Sequence, residues 1–234
     1  MALRPLVIAF DVIETLFPLE PLRRRLVRAG QPGHVLEVWF ARLLRDAFAL
    51  VATDSYRSFG EIAASALRSS TGGELDDEQA RAVLAGFAEL DPHPDVVPAV
   101  ELAREARVRM VTLTNGSAQT TSTLLRRAGI AHDIEQVLSV DDVQRWKPAP
   151  QIYLHAAHRT DVVPARVALV AAHAWETHGA HRAGLTTGWV ARLEDDFPAV
   201  FEPPDVTGRD LVEVVRGLLA LPSEPAHRGT SVES

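Results

Sequence analysis

The sequence predicts an α/β protein: a doubly wound parallel sheet carrying an inserted four-helix cap. Two observations predict it. Short apolar runs rich in branched residues alternate with helical patterns, the signature of strands buried between layers of helices. Between the first and second runs, about 80 residues read as helix throughout, too long for a single crossover.

The first run, Leu6 to Phe10, ends at an acid, Asp11. Later runs are Val108 to Thr114, Val167 to Ala171 and Thr187 to Val190, with a shorter apolar stretch near Val137. Helical patterns separate them over Val96 to Arg107, Ser117 to Ala128, Pro150 to Arg159 and Trp175 to Ala183. Right-handed crossovers then put the C-terminal strand ends on one edge, where open parallel sheets build their sites. The interruption divides into Pro21 to Ala29, closed by Gly30, then His34 to Val51, a helix opened by the capping box Ser58-Phe-Gly-Glu61, and Asp77 to Leu90. Pro92, Pro94 and Pro98 mark the return to the core. The expected organisation is a core of residues 1–16 and 95–221, a helical cap of 17–94, and a disordered tail of 222–234.

Composition narrows the function. The chain has 234 residues, 47% hydrophobic and 24% charged, enough apolar material for a sizeable core. A formal charge of −7 argues against a nucleic-acid partner. No apolar run reaches 18 residues and the N-terminal run is too short for a signal peptide, so no membrane partner and a cytoplasmic location are expected. The absence of cysteine removes disulfides and thiolate chemistry. Among 24 basic residues, Lys147 is the only lysine. It is either a chance survivor of an arginine-biased composition or a position that needs a compact ammonium.

The strand ends bring candidate chemistry together. They supply Asp11-Val12-Ile13-Glu14-Thr15, Thr114-Asn115-Gly116-Ser117, Arg145-Trp146-Lys147-Pro148 and Ala172-His173-Ala174-Trp175-Glu176. An ammonium beside a carboxylate favours its ionised form and orients it. The Thr15 hydroxyl is placed to hold an Asp11 oxygen, Gly116 to let backbone approach a ligand, and the helix after Ser117 to face an anion. Each signal alone reads as readily as a turn or a helix cap.

In this order the motifs resemble those of the haloacid dehalogenase superfamily, whose core is Rossmann-like, and most closely its type II 2-haloacid dehalogenase branch. The resemblance rests on Phe10-Asp11-Val-Ile-Glu-Thr15, Leu113-Thr114-Asn115-Gly116-Ser117, Ser139 to Lys147-Pro148 with Tyr153, and Val170 to Gly179. It implies a hydrolase in which Asp11 attacks an sp³ carbon of a small carboxylic acid, forming an aspartyl ester that water hydrolyses. It further implies that Thr15 and Lys147 hold the nucleophile, that Thr114 and Asn115 bind the substrate carboxylate, and that water sits near Glu176 and His173. Val12, Ile13, Phe40 and Tyr153 are expected at the substrate. Trp39, Phe59 and Trp175 are either an apolar wall around the reacting carbon or core packing.

The phosphatases of the superfamily carry an acid two residues after the nucleophile to protonate the departing alcohol. Ile13 stands there and donates nothing, while a halide leaves unprotonated. No cofactor is expected, with Mg²⁺ the less favoured alternative, because Glu176 alone makes a thin oxygen cage. Three departures concern the leaving group. Trp39 is followed by Phe40 where the resembled dehalogenases place an arginine, with Arg42 and Arg45 on other sides of the helix. Ala171 and His173 replace the usual Ser and Asn, and His173 is read equally as a base or a hydrogen-bond donor. Glu176 replaces a shorter Asp. Competing readings are a ring-opening hydrolase of a strained cyclic carboxylate such as azetidine-2-carboxylate, a phosphatase, and a non-catalytic binding protein. A homodimer is held open.

Overall fold

The structure, a computed structural model, describes residues 2–223. Six parallel strands form one sheet in the order β3-β2-β1-β4-β5-β6. These are β1 (Val7–Phe10), β2 (Arg109–Thr114), β3 (Gln136–Ser139), β4 (Val167–Ala171), β5 (Thr186–Val190) and β6 (Val206–Gly208). Strands β1, β4 and β5 are buried along their whole length, which is why they read as continuous apolar runs. The chain runs outward from β1 through β2 to β3 and then crosses back to β4. The strand order therefore reverses beside β1, and the crevice at such a reversal is where open sheets bind ligands.

Helices of the core are α5 (Val96–Glu105), α6 (Ala118–Arg127), α7 (Pro150–Thr160), α8 (Ala174–Arg182) and α9 (Leu211–Leu219). Four further helices lie between β1 and β2: α1 (Glu20–Arg28), α2 (Val35–Ala52), α3 (Phe59–Ser70) and α4 (Asp77–Ala85). The capping box at Ser58 is present, with Ser58 and Glu61 exchanging side-chain and backbone hydrogen bonds. The fourth helix is shorter than its sequence pattern. The α-helical turns stop at Ala85 and tighten into a 3-10 turn, Gly86–Glu89. Helix α1 presses against that turn so closely that a Cβ at Gly86 would lie 2.5 Å from Leu22 Cδ2.

The sequence reading assigned no element beyond Val190, and β6 and α9 fill that gap. β6 is three residues long, too short to register as an apolar run. Of the expected tail, Pro222 is tied to the core by the Arg4 N–H at 2.9 Å, and residues 224–234 lie outside those described. Among the described residues no helix is long and apolar enough to cross a membrane.

The helical segment lies against the C-terminal edge of the sheet. Phe59 stacks on Trp146 at 5.9 Å, and the Trp146 indole donates to the Arg57 carbonyl at 2.9 Å. Phe48 meets Trp175 edge-on at 5.1 Å. Tyr56 pairs with Asp141 and Arg145 with Asp54 at the rim.

Candidate active site

Asp11 follows β1, and its amide continues the ladder by donating to the Val170 carbonyl at 2.9 Å. The chain then turns sharply: Leu16 and Phe17 amides both return to the Val12 carbonyl, and Glu14 takes a left-handed φ of 70°. Glu14 accepts the Leu19 amide at 2.5 Å, and burial pushes its carboxyl above the usual range. This tight loop directs Thr15 back onto Asp11. The Thr15 hydroxyl donates to Asp11 Oδ2 at 2.7 Å and accepts the Ala172 amide at 2.9 Å. Ala172 is fixed on its other side, since its carbonyl accepts the Trp189 indole at 2.9 Å.

Lys147 enters from the loop after β3 and is fully buried. Its ammonium donates to Asp11 Oδ1 at 2.6 Å, Glu176 Oε2 at 2.5 Å and the Leu113 carbonyl at 2.8 Å. All three N–H donors are thereby used. Burial works against the charge of Lys147, but the carboxylates of Asp11 and Glu176 outweigh it and hold its pKa above the ordinary value. The Lys147 amide donates to Asn115 Oδ1 at 3.0 Å, which ties the β3 loop to the β2 loop. Within the β2 loop, Thr114 Oγ1 accepts the Gly116 amide and Ser139 donates to the Gly116 carbonyl.

Glu176 lies in the first turn of α8, and His173 is the residue before that helix. His173 Nδ1 is 3.5 Å from Glu176 Oε1. A Cβ at Gly179 would sit 2.6 Å from Pro148 Cβ and 2.9 Å from the Tyr153 hydroxyl. Only glycine there lets α8 lie close against the Lys147–Pro148 loop, which brings Glu176 to Lys147.

These groups face a small cavity of about 20 Å³ lined by Asp11, Asn115, Thr114, Glu176 and His173, with Ile13, Phe40, Leu44, Phe59, Trp146 and Trp175 as apolar walls. A second, larger cavity, about 320 Å³, shares Ile13, Phe59, Thr114 and Gly116 with it. Three expected positions differ. Trp39 is buried among the insert helices, donating to the Ala63 carbonyl at 2.9 Å and meeting Phe87 edge-on. Its neighbour Phe40, about 100° further round the helix, faces the cavity instead. Val12 is buried beneath the nucleophile loop, its carbonyl the anchor of that turn. Tyr153 is buried behind the site and donates to the Glu176 carbonyl at 3.3 Å; burial first, then the carboxylates of Glu176 and Asp11, raise its pKa well above the usual value.

Sequence reasoning read Leu44 as an apolar position of its helix but did not assign it to the site, nor the Leu113 carbonyl that takes the third proton of Lys147. Leu44 was findable: it lies four residues beyond Phe40, hence on the same helical face. A carbonyl leaves no trace in residue type. Arg42 and Arg45 do not line the cavity, and Arg45 pairs with Asp46. Asp11, His173 and Glu176 each offer an acceptor atom within 4.8 Å of the others, and the Lys147 ammonium bridges one oxygen of Asp11 and one of Glu176.

The haloacid dehalogenase-like hydrolase family model matches residues 6–184. The chain belongs to that family. (S)-2-haloacid dehalogenase 2 of Pseudomonas sp. (strain CBS-3) is 31% identical over 150 residues, which cover 64% of this chain and 62% of the relative. The (S)-2-haloacid dehalogenase of Pseudomonas sp. (strain YL) is 26% identical over 203 residues, 85% of this chain and 88% of the relative. The solved L-2-haloacid dehalogenase from Xanthobacter autotrophicus shares the fold, with a TM-score of 0.83 at 24% identity over 91% of this chain and 97% of that one. As a haloacid dehalogenase-like hydrolase, the chain has a nucleophile loop that lacks a second acid at Ile13.

Proposed function

We propose that this hydrolase is a metal-independent 2-haloacid dehalogenase acting on small carboxylic acids. The observation that carries the proposal is the pairing of a fully bonded Lys147 with Asp11 and Glu176, beside an apolar Ile13. Both relatives named above are 2-haloacid dehalogenases, which supports the same substrate class.

In this reading residues 17–94 cap a core formed by 1–16 and 95–221. Thr15 and Lys147 hold the two Asp11 oxygens, so the carboxylate is pre-oriented at low entropic cost. One oxygen attacks the carbon bearing the halogen, and the halide leaves with the bonding pair. Asn115 and the amides at the start of α6 face the substrate carboxylate. Water then adds to the ester carbonyl of Asp11, and the 2-hydroxy acid departs. No acid is required for a halide, whose conjugate acid is strong, whereas an alkoxide leaving from phosphate needs one.

The test is halide release from 2-chloropropionate with and without EDTA. The proposal expects turnover unchanged by chelation and no Mg²⁺-dependent hydrolysis of p-nitrophenyl phosphate. Turnover of the phosphate ester alone, dependent on Mg²⁺, contradicts it.

A further inference from the structure

The charges around the nucleophile do not suit the passage of anions. Two carboxylates, Asp11 and Glu176, share one ammonium, and Glu14 adds a third acid behind them. Helix α2 offers the cavity only Phe40 and Leu44. A carboxylate substrate must nevertheless enter, and displacement leaves a second negative charge on the departing atom.

We propose that His173, as an imidazolium, is the group that receives the leaving anion, and that Glu176 alone serves the hydrolytic water. The proposal rests on the dehalogenase reading only for the identity of that anion. Its geometry is specific. The ring lines the cavity with Phe40 at 6.0 Å and Trp175 at 5.4 Å, so its charge sits against apolar faces. Nδ1 faces Glu176 Oε1 at 3.5 Å and, among the described residues, is buried with no closer hydrogen-bond partner. Both nitrogens carry protons only in the cation.

The charged groups that face the ring agree with this. Glu176 comes from its own helix, and Asp11 and Glu14 from the loop after β1. Helix α2 contributes only the Phe40 ring, and Lys147, from the loop after β3, is bonded to Asp11 and Glu176. Burial disfavours the charged ring, but the three carboxylates outweigh it and hold its pKa above 6.5. With His173 charged, two cations offset Asp11 and Glu176 before the substrate enters.

In the first step an Asp11 oxygen bonds to carbon as the carbon–halogen bond breaks. The halide keeps the bonding pair and accepts a hydrogen bond from Nε2–H, with no proton transferred. In the second, water oxygen bonds to the Asp11 carbonyl carbon and its proton passes to Glu176. The ester C–O bond then breaks and the departing alkoxide takes that proton from Glu176, while the second water proton, left on the Asp11 carboxyl, is released to solvent, which restores both carboxylates.

The experiment is a pH titration of the histidine rings by NMR in the full chain labelled with ¹⁵N-histidine, the His173 signals being assigned by their loss in His173→Asn. It compares sodium bromide with sodium sulfate at matched ionic strength. An anion that prefers the imidazolium must raise the ring's pKa, because binding and protonation are reciprocally linked. The expected result is a His173 pKa above 6.5 that bromide raises further, while His93 is unmoved. A His173 pKa below 6.5, or one that bromide leaves unchanged, overturns the proposal. The wild-type titration does not depend on the fold of the variant or on turnover. Kinetics supply the second readout: His173→Asn should lower kcat on 2-chloropropionate roughly 10- to 100-fold, the size of a lost charge-assisted hydrogen bond. It should lower kcat less on 2-bromopropionate, whose leaving group needs less help, and abolish the alkaline limb of the wild-type profile. Equal losses on both halides with the limb retained contradict the proposal. If bromide moves the ring but no 2-haloacid is turned over, the anion site stands and the dehalogenase reading fails.

Discussion

Lys147 shows how much a single residue type decides. It is the chain's only lysine, and its three donors meet three acceptors while its side chain is fully buried. A planar guanidinium keeps the charge but cannot repeat that arrangement in a space shaped for an ammonium. Lys147→Arg is therefore expected to lower kcat at least ~100-fold while the circular dichroism spectrum is unchanged. Activity within tenfold of wild type would mean that charge alone suffices. Trp39 teaches the opposite lesson. Its aromatic type left a substrate wall and core packing both open, and the ring is packed among insert helices with its N–H satisfied by Ala63. Trp39→Ala should cost about 3–5 kcal/mol of stability in urea unfolding, as a large cavity in a core does. A raised KM with unchanged stability would restore the substrate role. The acid and the lysine were legible because strand ends converge by topology. Trp39 and Phe40 were not separable, because helical periodicity gives the relative direction of two side chains and not which of them meets the site.

At the scale of elements, the sequence was clearest where burial leaves one solution. β1 and β4 are buried on both faces, so their apolar runs end within a residue of the observed strands. β6 is a three-residue strand beside a proline-rich loop, and its pairing with β5 is a tertiary fact with little local signal. The end of α4 was missed for a similar reason: the 3-10 turn follows from close packing on α1 at Gly86. Gly179 carries the same kind of information into the site. Gly179→Ala places a methyl group against Pro148 and the Tyr153 hydroxyl, so it should cost about 1–3 kcal/mol. It should also separate Glu176 from Lys147 and lower kcat. Gly60, in the first turn of α3, meets nothing within 4 Å, and Gly60→Ala should be neutral or stabilise by about 0.4–1 kcal/mol. Thermal unfolding of the two variants side by side checks the contrast. Equal effects would mean that the close approach of α8 does not matter.

For the whole molecule, the parallel sheet sets the chemistry by collecting four loops on one edge, and the helical segment closes that edge with Phe40, Leu44 and Phe59. The order of chemical groups along the chain was therefore enough to foresee the assembly of Asp11, Thr15, Lys147 and Glu176. What surrounds the leaving atom was not legible, because it depends on how helices far apart in sequence dock over the sheet. The central claim is that Asp11 attacks carbon directly and that water attacks the resulting ester. Its most direct test is turnover of 2-chloropropionate in ¹⁸O water, first with enzyme in excess and then over many cycles, followed by mass spectrometry of the peptide that contains Asp11. The account predicts label in the Asp11 carboxylate, with the first turnover delivering unlabelled oxygen to the product. Label in the product from the first turnover, with none in Asp11, would contradict it.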